Sequence, residues 1–396
     1  MEQSFSLRAN IPKLYWLEAL YGMLFALPII VLFYEENGLS LGDIFLLEGL
    51  YALTATILEI PSGYLSDRWG RKRTLVIGAF TGFLSIVTYS LSTGFFGFLL
   101  AEILIAVMTS FYSGTIEALT YDTLLEMRET DRFRRITGHQ SATRFLCEAA
   151  ASIIGGLLAL HFLRLPVIAV LFPYGIACLV ALTLEEPSRH KLQEQKHLST
   201  LWRITKNSLG RNRALRGIML IHSLLSMLAM SVFWFTQPYQ SIIGLPLWLF
   251  GAAHAAVVAT GALAASSIHR FEKWMDDRFL LIGIAFIVIL SMIALGSITA
   301  LWGLLFLFGT RAAWGLLSPL TADLVNRMTT SDIRATVLSI RSFGFRLLFA
   351  LLAPLIGYGA DVIGFQEVLI LESIAGVIAL GVVFLWIRPV WREVPA

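Results

Sequence analysis

Several ionisable residues lie inside long apolar stretches, and these are the side chains that could carry out chemistry. Glu117 lies in the middle of such a stretch, in the context Gly-Thr-Ile-Glu-Ala. A charge within a bilayer costs on the order of a few kcal/mol, so it faces a cavity or a partner. A carboxylate removed from water binds a proton more readily, as proton coupling requires. We predict that Glu117 binds a proton or a cation. The alternative is a permanent ion pair with Arg144 or Arg346.

Other ionisable residues within apolar stretches have two interpretations each. Arg144 and Glu148 are four residues apart, so they share a helix face and can pair directly; the pair could be purely structural. Glu18 could line a cavity or extend to a nearby membrane surface. His222 could relay protons or be a hydrogen-bonded core residue. Arg311 lies at a similar depth to Glu117 and is a further candidate.

The sequence lacks the patterns of several other chemistries. It contains no glycine-rich nucleotide loop followed by lysine, which argues against ATP-driven pumping. Its histidines and cysteines do not have metal-ligand spacing, and no nucleophile and base cluster at one depth. We therefore expect no enzyme activity, metal or cofactor, and a proton gradient as the energy source.

The composition shows what must position these residues. Of 396 residues, 57% are hydrophobic and 14% are charged, and the mean hydropathy is +0.75. Apolar runs of about 20 residues suit helices that cross a bilayer core of roughly 30 Å. Only helices or closed barrels satisfy every backbone group in lipid, and no period-two alternation is present. The sequence predicts an all-α integral membrane protein.

Twelve helical segments are predicted, followed here by their residue numbers: 12–34, 43–65, 74–92, 95–126, 135–160, 164–184, 214–238, 246–269, 279–297, 300–326, 335–360 and 365–387. A polar stretch between the sixth and seventh segments predicts three parts: an N-terminal six-helix bundle (1–184), a cytoplasmic central loop (185–213) and a C-terminal six-helix bundle (214–396).

Lysine and arginine are distributed very unevenly between the loops. If the N-terminus is cytoplasmic, Arg164 is the one basic residue on the outer side, and all other basic loop residues lie inside. The positive-inside rule then predicts cytoplasmic termini and a cytoplasmic (inner) membrane location. Topology thus accounts for the basic character, and we expect no nucleic-acid partner.

An internal repeat relates the two predicted bundles. ALTYDTLLEMRETD, ending at Asp131, aligns with PLTADLVNRMTTSD, ending at Asp332. One register step later, Arg144 aligns with Arg346. Helices four and five thus recur as ten and eleven, which predicts two pseudo-symmetric bundles suited to alternating access.

The loop after the second segment carries a specific motif, Gly63-Tyr-Leu-Ser-Asp67-Arg68-Trp-Gly70-Arg71-Lys72-Arg73. Its two glycines would allow close helix approach and a tight turn. This loop closely resembles the signature loop of the major facilitator superfamily, and Glu59-Ile-Pro-Ser-Gly63 resembles a bacterial efflux-type subgroup.

The resemblance implies a conformational latch that holds the outward-facing state. In it, Asp67 would meet the start of helix eleven, and Arg71 would meet Asp122. Other family marks are partial: the arginine expected before Gly114 is replaced by Ser110, although Arg311 precedes Gly315 in the second half. The antiporter motif of the fifth helix would have Gly-Pro where this chain has Ala151-Ser152.

In the superfamily, helices 1, 4, 7 and 10 line a central cavity. By that resemblance, the cavity would hold Glu18, Glu117, His222 and Arg311, together with aromatic residues. The aromatic candidates are Tyr21, Phe25, Trp234 and Trp314. An amphipathic pocket of this kind suits organic substrates.

These observations predict a secondary active transporter that moves a small organic molecule by alternating access, as a proton-coupled exporter. Proton-coupled uptake is the alternative, and a membrane enzyme or a non-transporting sensor would be the alternative from another class. The expected partners are the substrate, protons and the lipid bilayer. We expect a monomer without an obligate protein partner.

Overall fold

The computed structural model describes residues 7–187, 210, 212–271, 274–329 and 334–393. Within these ranges, twelve helical segments are long and apolar enough to cross a membrane. This confirms the predicted all-α fold with twelve transmembrane segments in two six-helix bundles. Most of the predicted central loop lies outside the described residues.

We number these segments as spans 1 to 12 and give the helices that form each. In the first half they are Asn10–Gly22 and Ile30–Glu36 (span 1), Leu41–Trp69 (span 2), Arg71–Leu91 (span 3), Phe95–Tyr112 and Thr115–Glu126 (span 4), Phe133–Leu158 (span 5), and Arg164–Ala169 and Leu171–Leu182 (span 6). In the second half they are Arg213–Ile242 (span 7), Leu247–Ser266 (span 8), Asp277–Ser297 (span 9), Leu304–Arg327 (span 10), Arg334–Ile363 (span 11) and Phe365–Ile387 (span 12).

The chain forms two compact units. The first contains Met1–Lys191 and Leu245–Ala256, and the second contains Leu192–Gly244 and Val257–Ala396. In the first unit, span 1 packs on spans 5 and 6, and span 3 packs on spans 4 and 6. In the second unit, span 7 packs on spans 11 and 12, and span 9 packs on spans 10 and 12. The same pairs therefore recur six spans later, in the order of the internal repeat. The bounds 1–184 and 214–396 stay a prediction.

Spans 1 and 4 are broken helices, which the sequence analysis treated as continuous. The first helix of span 1 ends at Gly22, and regular helix resumes at Ile30 after a short 3₁₀ turn. Pro28 explains this break, because it has no N–H to donate to the carbonyl of Leu24. Span 4 is interrupted at Gly114, whose φ is +66°. Glycine adopts this left-handed conformation without steric cost.

Spans 1 and 5 touch backbone to backbone at the break in span 1. A Cβ atom added to Gly22 would lie 2.5 Å from the carbonyl oxygen of Arg144. A Cβ atom added to Gly155 would overlap the carbonyl oxygen of Phe25. The two glycines therefore let the broken part of span 1 lie directly on span 5. This contact fixes the depth at which Arg144 meets span 1.

A buried hydrogen-bonded cluster joins spans 1 to 4. The carboxyl group of Glu102 accepts hydrogen bonds from the hydroxyls of Tyr34, at 2.9 Å, and Tyr89. Glu48 forms a hydrogen bond with the same carboxyl group. The four side chains, one from each span, thus form a single buried group within the first unit.

The contact between spans 1 and 5 generates a stability prediction. We expect Gly155→Ala to lower the free energy of unfolding by about 1–3 kcal/mol, because backbone must move to make room for the methyl group. Gly138→Ala is the matched control on the same helix, since a Cβ there meets no described atom within 4 Å. The thermal unfolding midpoint of each purified variant measures the difference. Equal midpoints for the two variants would contradict the contact.

Candidate functional site

A set of polar side chains converges in the first unit, where the helices of spans 1 and 4 are broken. Glu18 of span 1 is 8% exposed. It interacts with Arg144 of span 5, Tyr112 at the break in span 4, and Glu117 just beyond that break. Arg144 in turn interacts with Glu148 on its own helix and with Tyr174 of span 6. We call Glu18, Tyr112, Glu117, Arg144, Glu148 and Tyr174 the polar cluster.

Aromatic rings form one wall of the polar cluster. The ring of Tyr21 packs edge-on against Tyr112, with 4.7 Å between centroids, and against Tyr174, with 5.3 Å. Phe25, the other aromatic candidate of span 1, lies beyond Gly22, where the helix has ended, and its carbonyl faces Gly155. The wall therefore consists of three tyrosines from three spans, and tyrosine can both stack with and hydrogen-bond to an organic molecule.

The charges in the polar cluster are not balanced. It contains three carboxyl groups, from Glu18, Glu117 and Glu148, and Arg144 is the one permanent cation among its members. Like charges held close together in a site of low polarity are stabilised by taking up protons or a cation. Glu117 is exposed, whereas Glu18 and Tyr112 are buried. Glu117 is thus the member that an incoming proton or ligand can reach first.

In the second unit, the polar side chains His222 and Arg341 contact neutral oxygen atoms instead of carboxyl groups. His222 of span 7 lies 2.9 Å from the hydroxyl of Thr321, measured from Nδ1. Arg341 of span 11 donates to the same hydroxyl at 2.7 Å and to the carbonyl of Ser318 at 2.8 Å. These contacts tie His222 into a hydrogen-bonded core with neutral acceptors.

The remaining candidates of the second unit lie at separate positions on the helices. The guanidinium of Arg311 lies over the ring of Trp314, 4.8 Å from its centroid. Trp234 is buried in span 7, and Arg346 is half-buried in span 11. Their roles in transport stay predictions.

The signature loop joins several helix ends of the first unit. Arg71 contacts Asp67 at 2.8 Å and Asp122 at 3.5 Å, and it donates to the hydroxyl of Ser66 at 3.0 Å. Gly70 makes the tight turn with a φ of +109°. The guanidinium of Arg71 thus links the ends of spans 2 and 4.

The exposure of Gly63 differs from the sequence-based expectation for the signature loop, and the expected partner of Asp67 is not among the contacts described. Gly63 was expected to permit close helix approach, but it is exposed, and a Cβ there would meet no described atom within 4 Å. Arg68 is exposed and Lys72 is half-buried. The expected contact of Asp67 with the start of span 11 would join the two units, and it stays a prediction.

Glu186 caps the helix that follows the signature loop. Its carboxylate accepts hydrogen bonds from the backbone N–H groups of Arg71, at 2.9 Å, and Lys72, at 2.8 Å. These donors have no partner within their own helix, and the helix dipole favours a negative charge there. The sequence analysis assigned Glu186 to the central loop and missed this role. The segment after span 6 is thereby attached to the start of span 3.

A family model described as Major Facilitator Superfamily matches residues 15–329. The inner membrane transport protein YajR of Escherichia coli (strain K12) is 25% identical over 334 residues, which cover 81% of this chain and 70% of that protein.

Solved structures with similar folds include two named transporters. A D323A mutant of the nucleoside transporter NupG superposes with a TM-score of 0.83 at 14% identity, covering 96% of this chain and 99% of that one. A D-xylose-proton symporter gives a TM-score of 0.71 at 15% identity, covering 99% of this chain and 98% of that one. At these identities the superpositions establish the fold alone.

The capping contact of Glu186 predicts the effect of two neighbouring substitutions. Glu186→Ala should lower the free energy of unfolding by about 1 kcal/mol, because two N–H groups at a helix start lose their acceptor. Glu185→Ala is the control, since Glu185 contacts Asn10 through its backbone atoms. Thermal unfolding midpoints of both variants would test the cap. A midpoint that falls as far in the Glu185 variant as in the Glu186 variant would argue against it.

Proposed function

The chain belongs to the Major Facilitator Superfamily, and from that premise we propose that it is a secondary active transporter that exports a small organic molecule in exchange for protons. The observation that carries the proposal is the polar cluster, in which three carboxyl groups and one guanidinium lie beside a wall of tyrosines. We further propose that it acts in the cytoplasmic membrane as a monomer, with both termini in the cytoplasm. Proteins of this family are transporters, and the proposal needs no enzyme chemistry.

The polar cluster supports exchange because a proton and a substrate would compete for the same carboxylates. When all three carboxyl groups of the polar cluster are ionised, Arg144 balances one negative charge, and the excess negative charge favours a substrate that carries a positive charge or several hydrogen-bond donors. A proton that binds to Glu117 removes part of this attraction. The substrate is then held less tightly and can leave, while the tyrosine wall keeps its shape.

Broken helices suit this role. Transporters place substrate and ion sites where helices are discontinuous, because the freed backbone groups and half-helix ends can face a cavity there. Glu117 lies in the first turn of the second helix of span 4. A negative side chain at this position is stabilised by the helix dipole while it is ionised, so each protonation change also alters a contact with the helix end.

Proton-coupled uptake is the second candidate function. One sequence feature favours it, which is that Ala151-Ser152 stand where the antiporter motif would have Gly-Pro. A symporter would bind proton and substrate together, so protonation of Glu117 would strengthen substrate binding instead of weakening it. The direction of the pH effect on binding therefore separates the two functions.

The first test measures coupling at Glu117. In proteoliposomes with an imposed pH gradient, ethidium, uridine and D-xylose would probe cationic, nucleoside and sugar substrates. We expect Glu117→Gln to lower proton-driven flux of the transported probe at least about tenfold, because glutamine cannot exchange a proton. Glu36→Gln serves as the control, since Glu36 is exposed at the end of a helix. Unchanged coupled flux in the Glu117 variant would exclude this assignment.

The second test concerns the latch of the signature loop. In a chain with Cys147 and Cys178 replaced by serine, Ser113→Cys would report access to the break in span 4. We expect Asp67→Asn to speed labelling of that cysteine from the cytoplasmic side severalfold, because the loop loses a charge that holds the outward-facing state. A membrane-impermeant maleimide and inside-out vesicles would measure it. No change in labelling rate would count against the latch.

A further inference from the structure

A histidine outside the polar cluster approaches one of its carboxylates. His254 of span 8 places its Nε2 atom 3.7 Å from Oε1 of Glu148. Both side chains are largely buried, with 9% and 13% exposure respectively. The sequence analysis paired Glu148 with Arg144 and gave His254 no role. The structure therefore places a second basic group, from span 8, beside Glu148.

Close backbone packing holds these two side chains together. A Cβ on Gly156 would lie 2.9 Å from the backbone nitrogen of Gly251, and a Cβ on Gly251 would overlap the carbonyl oxygen of Ser152. His254 follows Gly251 by about one helical turn, and Glu148 precedes Ser152 by about one turn. Residues Leu245–Ala256 belong to the first unit, so this contact lies within that unit. Small residues at a helix interface permit such approach in membrane proteins.

The pairing partner of Glu148 then depends on protonation. Arg144 is always charged, and it interacts with both Glu18 and Glu148. Histidine changes charge near physiological pH. When the imidazole is neutral, the charge of Glu148 is compensated by Arg144. When the imidazole carries a proton at Nε2, that proton faces Glu148, and Arg144 is available to Glu18.

We infer that His254 is a proton-carrying residue of the transport site. Its protonation acts through Glu148 and determines whether Arg144 pairs with Glu148 or with Glu18. The inference rests on the proposed proton-coupled transport. A proton from solution adds to Nε2 of His254, and no other bond breaks. The same proton returns to solution in the other conformational state of the transport cycle. Besides Glu148, the charged and titratable groups that interact with Arg144 include Glu18, Tyr112 and Tyr174, and Glu117 interacts with Glu18.

In this proposal the two proton-binding residues, Glu117 and His254, have different roles. Glu117 is exposed and competes directly with the substrate. His254 is buried and determines how strongly Arg144 holds Glu18 on span 1, so it biases the state of the cluster without touching the substrate. With these separate roles, the transport rate would depend on pH even when no pH gradient is imposed across the membrane.

Histidine-selective nitrogen NMR of the purified protein in nanodiscs tests the pair directly. We expect a set of imidazole resonances, absent from His254→Gln, whose chemical shifts report addition of a proton at Nε2 when the sample is acidified. In Glu148→Gln the pH dependence of these resonances should change, because the neighbouring charge is gone. Resonances that do not titrate, or that ignore the Glu148 substitution, would overturn the inference.

Flux measurements test the role in transport. With the probes named above, His254→Gln and His254→Asn should lose proton-driven accumulation by about tenfold or more but keep gradient-free exchange, since exchange needs no net proton transfer. His161→Gln is the control, because His161 is exposed at the end of span 5. Coupled flux at the wild-type level in both His254 variants would refute the role. Absence of proton-driven flux in the wild type would instead refute the proposed function, and the NMR titration would still report on the pair.

Discussion

The direct contact between the backbones of spans 1 and 5 determines the arrangement of the polar cluster. Gly22 lies against the carbonyl of Arg144, and Gly155 lies against the carbonyl of Phe25. Any larger residue at either position would separate the spans by the width of a side chain. At that separation, Glu18 and Arg144 would face each other across apolar space, where an unpaired charge is costly. Glycine packing and ion pairing therefore support one another.

The break in span 1 belongs to the same arrangement. Pro28 lies in the 3₁₀ turn that follows the break and has no N–H to donate to a helical carbonyl. The backbone between Gly22 and this turn is irregular, and the carbonyl of Phe25 within it lies against Gly155 of span 5. Span 4 has a second break beside it, at Gly114, so Tyr112 and Glu117 reach the cluster from the two sides of that interruption. Irregular backbone in a membrane protein is tolerated where protein covers it or where it lines a cavity. Both breaks coincide with the buried charges.

The sequence predicted the fold and the local motifs because their signals are local. Hydropathy gives each span its length, and the signature motif is one contiguous run of residues whose glycine permits the turn between spans 2 and 3. The breaks were missed although their signals, Pro28 and Ser113-Gly114, are visible, because hydropathy averages over them. The contact of Glu148 with His254 could not be derived, since it joins spans 5 and 8 and depends on the crossing point that Gly156 and Gly251 set. The capping role of Glu186 was missed because that contact also joins parts of the chain that are distant in sequence.

The two units place the arginines of corresponding spans in different surroundings. The internal repeat aligns Arg144 of span 5 with Arg346 of span 11, whereas the arginine that donates to neutral acceptors in the second unit is Arg341, five residues before Arg346. In the contacts described for the second unit, His222 and Arg341 meet the hydroxyl of Thr321 instead of a carboxylate. A guanidinium stays charged in both settings. One that donates to neutral oxygens also keeps its partners when pH changes, whereas one that interacts with carboxylates loses part of that attraction when a carboxylate takes up a proton. We therefore assign the proton-dependent step of the proposed cycle to the first unit.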